Sequence, residues 1–159
     1  MSEQVVVREP GEGRTLLVGG GDRVTYKVRS AETDGSYFCF EVSTTPGFGP
    51  PVHSHTYREL FYVLEGAYEF TIERDGQLET LTGRAGTAVA VPPDTPHTFK
   101  NASGAPGRLL FVHQPAALEE FFEEFGVPDG ADAEQEPPSP AAMVTALQHH
   151  GVTVLAPPS

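Results

Sequence analysis

Tryptophan is absent from the 159-residue sequence, cysteine occurs once, and basic residues are few. A single cysteine, Cys39, cannot form a disulfide within the chain, which is consistent with a reducing compartment. The 10 lysines and arginines are scattered among 22 acidic residues, and the net charge of −12 argues against a nucleic-acid partner, because phosphate binding needs clustered cations. Neither a signal peptide nor an apolar run of the roughly 20 residues that a membrane span needs is evident. We therefore expect no membrane partner and a cytoplasmic location.

Glycine and proline, by contrast, are abundant, with 17 and 15 residues. They separate short runs of β-branched and aromatic residues, a pattern typical of many strands joined by turns rather than of a helical bundle. Asp75 and Gly76 form a hairpin signal, since this dipeptide readily takes the positive φ angles of a two-residue turn. Strands are predicted at 15–18, 23–29, 36–44, 59–64, 67–74, 77–81, 87–91, 96–100 and 107–113. The fold class predicted from this pattern is all-β, an antiparallel sandwich or barrel.

The pattern changes near the end of the last predicted strand. Four apolar residues then follow a helical spacing: Leu118, Phe121, Phe122 and Phe125. A second short helix is predicted between Ser139, a good N-cap, and Gly151, which suits the position after a helix end. We therefore predict a single barrel over residues 1–117, followed by a helical and extended appendage over 118–159 that packs on the barrel or on a partner subunit.

Histidine and glutamate are unusual beside an apolar strand, yet the segment "GFGPPVHSHTYRELFYVLEG" combines them. In an extended strand, residues i and i+2 point to the same side, so the imidazoles of His53 and His55 face the same way and are able to bind one metal ion together. Glu59 opens the next apolar run and can reach the same point. In a later segment, "GTAVAVPPDTPHTFKN", His97 begins a strand after a proline-rich turn. Taken alone, each segment is also compatible with hydrogen-bonded structural histidines.

Together the two segments resemble the two motifs of the cupin superfamily. The first motif runs glycine, five residues, His-x-His, three or four residues, glutamate, six residues, glycine. The second runs glycine, five residues, Pro-x-Gly, two residues, histidine, three residues, asparagine. The matching positions are Gly47, His53, His55, Glu59, Gly66, Gly86, Pro92, His97 and Asn101. Asp94 replaces the usual glycine, and we expect it to keep the same left-handed turn, because aspartate tolerates this conformation better than most residues.

The resemblance implies a double-stranded β-helix, a jelly-roll barrel, that is followed by short helices and holds a metal inside. It assigns the ligands His53, His55, Glu59 and His97 to one divalent transition metal per chain. Three imidazoles and one carboxylate suit Fe, Mn, Co, Ni, Cu or Zn, and they do not distinguish among these metals. Four protein ligands leave one or two coordination positions free for substrate or oxygen.

Alternation along the strands places Phe61 and Val63 on the same side as Glu59, and Phe99 on the same side as His97. We take these three residues as candidate substrate-binding residues, although barrel core residues have the same character. No arginine or lysine falls on this inward side, so an anionic substrate would find no cationic partner. The expected substrate is an apolar or aromatic small molecule. His113, on the last strand, could point into the barrel or out of it.

Beyond the motifs, segments such as "GRTLLVGGGDRVTYKV" and "VHQPAALEEFFEEFG" are similar to small single-domain cupins of the quercetinase-like branch. In quercetinases the metal binds a flavonol and O₂, and the ring is split with loss of carbon monoxide. By this resemblance the chain is a metal-dependent dioxygenase that uses O₂ and cleaves an aromatic, flavonol-like molecule. Glu59 would then be both ligand and general base, and the second role calls for a pKa raised toward the working pH.

Two other functional classes fit the same residues. A cupin metal can support non-redox chemistry, as in an isomerase or a polyketide cyclase, and a cupin can also bind or sense a small molecule without turnover. A homodimer is expected in each case, because the open sheet edges and the phenylalanine-rich helix leave apolar surface to cover.

Overall fold

The computed structural model describes residues 3–19, 22–129 and 139–155, and it consists mainly of two antiparallel β-sheets that face each other across an apolar core. The strands are β1 (Thr15–Gly19), β2 (Asp22–Val28), β3 (Phe38–Thr44), β4 (His53–Ser54), β5 (Arg58–Glu65), β6 (Ala67–Arg74), β7 (Gln77–Arg84), β8 (Ala88–Val91), β9 (His97–Asn101), β10 (Gly107–Gln114), β11 (Val127–Pro128) and β12 (Thr153–Val154). The helices are α1 (Glu119–Phe125) and α2 (Pro140–His149), and a short 3₁₀ turn spans Ser30–Thr33.

The strand order identifies a jelly roll. The first sheet has the order β11-β1-β2-β3-β10-β5-β8, and the second has the order β12-β4-β9-β6-β7. The all-β jelly-roll prediction is confirmed, and each of the nine predicted strands is present. The sequence pattern missed β4, β11 and β12, because a two-residue strand is too short to show alternation.

Alternation along the strands decides which side chains enter the core. In β5, Glu59, Phe61 and Val63 are buried, whereas Leu60 and Tyr62 lie on the outer face and are exposed. The core is built largely of phenylalanine rings at edge-to-face or stacked distances, as the sequence composition leads one to expect. The inward side of β5 therefore carries one carboxylate beside apolar core residues.

The C-terminal segment packs on the barrel of its own chain. Strand β11 pairs with β1, and β12 pairs with β4, so this segment adds one strand to each sheet. Helix α1 buries Phe121 and Phe122 against the core, and α2 buries Leu147. The Ser139 hydroxyl accepts a hydrogen bond from the Ala142 amide at 3.1 Å, which confirms the predicted N-cap. No helix among the described residues has the length and apolar character needed to cross a membrane.

Two aspartates occupy left-handed turn positions. Asp75 has a φ angle of 51° in the hairpin between β6 and β7, next to Gly76 with a φ of 80°. Asp94 has a φ of 59°, and its amide donates a hydrogen bond to the His55 carbonyl at 2.7 Å. The expectation that Asp94 keeps the turn of the motif glycine is thus confirmed. This turn ties the segment before His97 to the loop that carries His55.

Substitutions at Asp94 should test the turn. Asp94→Val places a β-branched residue at a positive φ angle, and we expect a loss of about 1–2 kcal/mol in the free energy of unfolding. Asp94→Gly, which relieves the same constraint, should leave stability close to that of the unaltered protein. Urea unfolding of the three proteins measures the difference, and equal stability of the two variants would contradict this account of the turn.

Candidate metal centre

The site is built from two cross-strand residue pairs, one on each sheet. Glu59 on β5 lies directly opposite His113 on β10 in the first sheet. His53 on β4 lies opposite His97 on β9 in the second sheet. Cross-strand neighbours on one face bring their side chains together, and the two sheets bring the two pairs face to face. His55 follows β4 directly and completes the cluster.

The Glu59 carboxylate is the centre of this arrangement. Its Oε2 atom lies 2.8 Å from His55 Nε2 and 2.8 Å from His97 Nε2, and its Oε1 atom lies 3.0 Å from His113 Nε2. Ligand atoms of His53, His55, Glu59 and His97 all lie within 4.8 Å of one another. The structure therefore brings together the four predicted metal ligands and adds His113 to their surroundings.

Backbone carbonyl groups fix the orientation of each imidazole. The Nδ1 atoms of the four histidines lie 2.7–2.9 Å from carbonyl oxygens: His53 from Pro51, His55 from Tyr57, His97 from Thr95 and His113 from Ala117. A carbonyl oxygen only accepts, so each Nδ1 must carry the hydrogen. In the neutral ring, Nε2 is then a lone-pair acceptor, which is the form that binds a metal.

This assignment of hydrogens shows that the residues fit a cation. Three Nε2 lone pairs and a carboxylate face one another in a buried site, and neutral imidazoles of this tautomer offer no hydrogen to share between them. A divalent cation satisfies all of these acceptors at once, whereas protonation would place positive rings side by side. The cluster is able to bind one metal ion, held by His53, His55, Glu59 and His97. When bound, such an ion supplies Lewis acidity and, if it is redox-active, electron transfer.

Two of the ligands, His53 and Glu59, have pKa values that favour their metal-binding protonation states. Burial, together with repulsion from neighbouring His97, lowers the pKa of His53 to about 4, so this ring is neutral at neutral pH. Burial raises the pKa of Glu59, but His113, His55 and His97 lower it by more when their Nε2 atoms carry a hydrogen and donate to the carboxylate, so that it lies well below the ordinary value; a bound cation would take the place of these hydrogens. The carboxylate is ionised. The raised pKa expected for a general base is therefore not found.

His113 is the residue whose place the sequence left open. It is 1% exposed and faces Glu59, so it points into the barrel. Its strand reads "GRLLFVHQ", in which apolar residues occupy both faces, and alternation alone could not decide the side. Leu109 and Phe111 share its face, and only the structure shows that this face is the buried one.

A small cavity of about 90 Å³ adjoins the metal site. Its walls combine four side chains of the site (His53, His55, Glu59 and His113), Tyr57, and apolar residues of the barrel and the C-terminal helices. Among the candidate substrate-binding residues, Phe99 lines this cavity, whereas Phe61 and Val63 are packed in the core and lie outside its lining. The described lining contains no arginine or lysine, as expected from the sequence.

Comparison with known families agrees with the fold and the site. The cupin domain family matches residues 40–113, which run from β3 to β10 and include every ligand. Residues 40–113 form a cupin domain. A comparison with curated protein sequences found no match.

Solved structures share the cupin fold. An RmlC-like cupin from Shewanella frigidimarina is 24% identical, with a TM-score of 0.56 over 76% of this chain and 99% of that chain. The polyketide cyclase RemF from Streptomyces resistomycificus is 23% identical, with a TM-score of 0.50 over 72% of this chain and 80% of that chain. An oxalate oxidase in complex with glycolate is 23% identical, with a TM-score of 0.51 over 60% of this chain, which spans 51% of the oxalate oxidase. At these identities the likeness establishes the fold and leaves the activity open.

Removing a ligand should abolish metal retention. We expect His97→Ala to lose stoichiometric metal after dialysis, because the cluster then lacks one of its buried lone pairs. His113→Ala, which removes a contact of Glu59, should weaken affinity by roughly 10–100-fold, the range seen for residues that orient ligands. His149→Ala, on the exposed side of α2, is the matched control. Metal content per chain by mass spectrometry gives the answer, and a His97→Ala protein with one metal per chain would disprove the assignment.

Proposed function

We propose that this cupin domain is a metal-dependent dioxygenase that acts on an apolar or aromatic small molecule, with O₂ as co-substrate. The observation that carries the proposal is the cavity, which borders Glu59 and three of the histidines and is otherwise almost entirely apolar. Such walls exclude water and favour an uncharged ring over a polar metabolite. The similarity to the quercetinase-like branch supports the same substrate class.

The size of the cavity restricts the proposal. A volume of about 90 Å³ is well below the 300–1,000 Å³ typical of small-molecule pockets. A multi-ring flavonol has no room in it unless the C-terminal helices, which supply Phe125, Met143 and Leu147 to the lining, shift outward. We therefore expect single-ring substrates, such as catechols, to be accepted more readily than flavonols.

Glu59 and His113 together offer a place for a substrate proton. The low pKa of Glu59 makes its carboxylate a weak base on its own. His113 Nε2, however, lies 3.0 Å from Glu59 Oε1 and carries a lone pair in its neutral tautomer. In our proposal a proton taken by Oε1 is shared with His113, which offsets the weakness of the carboxylate. Glu59 thus keeps the roles of ligand and general base, with His113 as its partner.

Non-redox chemistry is the second candidate function. The polyketide cyclase RemF has the same fold, and an ion such as Zn²⁺ would support a cyclisation or isomerisation without O₂. Small acids of the glycolate type are less favoured, because the described cavity lining offers no cationic side chain to a carboxylate. A binding or sensing module without turnover stays the third alternative.

The predicted homodimer and the cytoplasmic location stay predictions. Support for the dimer comes from the outer face of the first sheet, where Leu60 and Tyr62 are exposed. Their register partners on β10 are the apolar Val112 and Leu110, which are only partly buried. A two-fold contact across this face would cover apolar surface on both copies.

Oxygen uptake by the metal-loaded protein tests the dioxygenase proposal. Protein carrying one Fe, Mn, Co, Ni, Cu or Zn per chain is given catechols and flavonols, and O₂ consumption and carbon monoxide release are recorded. We expect uptake with at least one redox-active metal and none with Zn, because Zn²⁺ has no accessible redox state. Absence of uptake with every metal, in protein that holds one metal per chain, would favour the non-redox or sensing alternative.

Replacing Glu59 by glutamine separates its two roles. Glu59→Gln keeps a carbonyl oxygen for the metal but cannot take up a proton, so we expect metal to be retained with weakened affinity. Turnover should fall by about 10²–10⁴-fold, the usual contribution of a general base. Glu65→Gln, at an exposed position of the same strand, serves as the control. Normal turnover by Glu59→Gln would show that the base role is wrong.

A further inference from the structure

Tyr57 lies between the metal ligands His55 and Glu59 in the sequence, and it is almost completely buried. Its side chain lines the metal-site cavity, and the residue is 7% exposed. Its ring stacks flat on the His55 imidazole, with 3.7 Å between centroids and an angle of 1° between planes, and it lies 4.7 Å from the His113 ring. The phenol is therefore held rigidly against the metal site by its ring.

The hydroxyl of Tyr57, unlike its ring, has no partner in the described residues. Every fully buried side-chain nitrogen or oxygen of the described residues has a hydrogen-bond partner, so the Tyr57 hydroxyl, which has none, keeps accessible surface and can meet a ligand. Tyr68 shares a hydrogen bond with Thr44 at 2.6 Å, and Tyr26 donates to the Glu119 carbonyl at 3.4 Å. No described residue forms such a bond with the Tyr57 hydroxyl. The backbone carbonyl of Tyr57, by contrast, accepts a hydrogen bond from His55 Nδ1.

The Tyr57 hydroxyl is also a hydrogen-bond donor in a cavity that otherwise lacks side-chain donors among its described lining residues. Apart from Tyr57 and the side chains of the metal site, every residue in the described lining is apolar. The metal-site side chains are acceptors or metal ligands, as their tautomers show, so they have no hydrogen to offer a ligand. Tyr57 therefore provides the one side-chain donor among the described lining residues.

We propose that Tyr57 donates a hydrogen bond to an oxygen atom of the substrate while a second oxygen of the same molecule binds the metal. This inference rests on the proposed function, since it takes the cavity to be the substrate site. It narrows the substrate class to apolar rings with two neighbouring oxygens, because Tyr57 stacks on the ligand His55 and can reach only the immediate surroundings of the metal. Its role is to select and orient the ligand.

The stacking contact makes Tyr57→Phe the informative variant, because phenylalanine keeps the ring against His55 and removes only the hydroxyl. Tyr37→Phe, at an exposed position outside the described cavity lining, makes the same chemical change away from the site. Each protein is loaded with Co²⁺, whose visible absorption responds to ligands that bind the metal. Catechol, with two adjacent oxygens, and azide, which binds the metal and has no oxygen, are then titrated separately.

We expect Tyr57→Phe to keep one Co²⁺ per chain, to bind azide within about twofold of the unaltered protein, and to bind catechol about tenfold more weakly, the loss typical of one hydrogen bond. Tyr37→Phe should match the unaltered protein with both probes. Catechol affinity that is unchanged in Tyr57→Phe would overturn the inference, as would equal weakening of azide and catechol, which would point to a role in shaping the metal site.

The same titration separates this inference from the proposed function. If the unaltered protein holds Co²⁺ but its spectrum responds to neither probe, the cavity is not a ligand site, and the proposed function fails together with the inference. If catechol binds the unaltered protein and Tyr57→Phe equally well, the proposed function stands and only the role of Tyr57 is wrong.

Discussion

The hydrogen bonds from the four histidine Nδ1 atoms to backbone carbonyls are the constraint on which the site depends. Each bond decides at once which ring nitrogen carries the hydrogen and which way the ring faces. The lone pairs of Nε2 are thereby fixed inside the barrel before any ion arrives. Because the partners are main-chain groups, the arrangement depends on the local course of the chain around each histidine and not on further side chains.

Glu59 links the two sheets through this arrangement. From β5 in the first sheet, Glu59 contacts His113 on β10 of the same sheet. It also contacts His97 on β9 of the second sheet. A buried carboxylate surrounded by acceptor nitrogens is costly without a counter-charge, since desolvation of an ion is repaid only by close partners. Metal binding should therefore stabilise the fold as well as complete the site, because the unfolded chain cannot present these ligands together.

Most of the barrel and the four ligands could be predicted from the sequence because their signals are local. Strand alternation placed Glu59, Phe61 and Val63 inward, and the motif spacing fixed the positions of the histidines. What could not be predicted depends on contacts between distant segments. The pairing of His113 with Glu59 is a matter of register between β10 and β5, and a strand that is apolar on both faces does not reveal it.

The ionisation of Glu59 also depends on contacts between distant segments, so the sequence alone could not give its pKa. The role of general base calls for a raised pKa, and burial does act in that direction. The histidines that converge on the carboxylate outweigh it, and one of them, His113, was not foreseen there. The sign of a pKa shift in a buried cluster thus depends on which neighbours the fold supplies.

The C-terminal segment forms part of the cavity wall. It lies outside the two metal-binding motifs, so these motifs do not predict the shape of the cavity. Helices α1 and α2 supply Phe121, Phe125, Met143 and Leu147 to the lining. They are held by ion pairs such as that between Arg29 and Glu119 at 2.9 Å, and by the pairing of β12 with β4 next to His53. Because this segment lines the cavity and is anchored beside the ligand His53, a shift of the segment would change both the size of the cavity and the surroundings of the metal site. If the proposed function holds, substrate selectivity depends on the barrel and the helices together, and we expect substitutions in α2 to change which rings bind without touching a ligand.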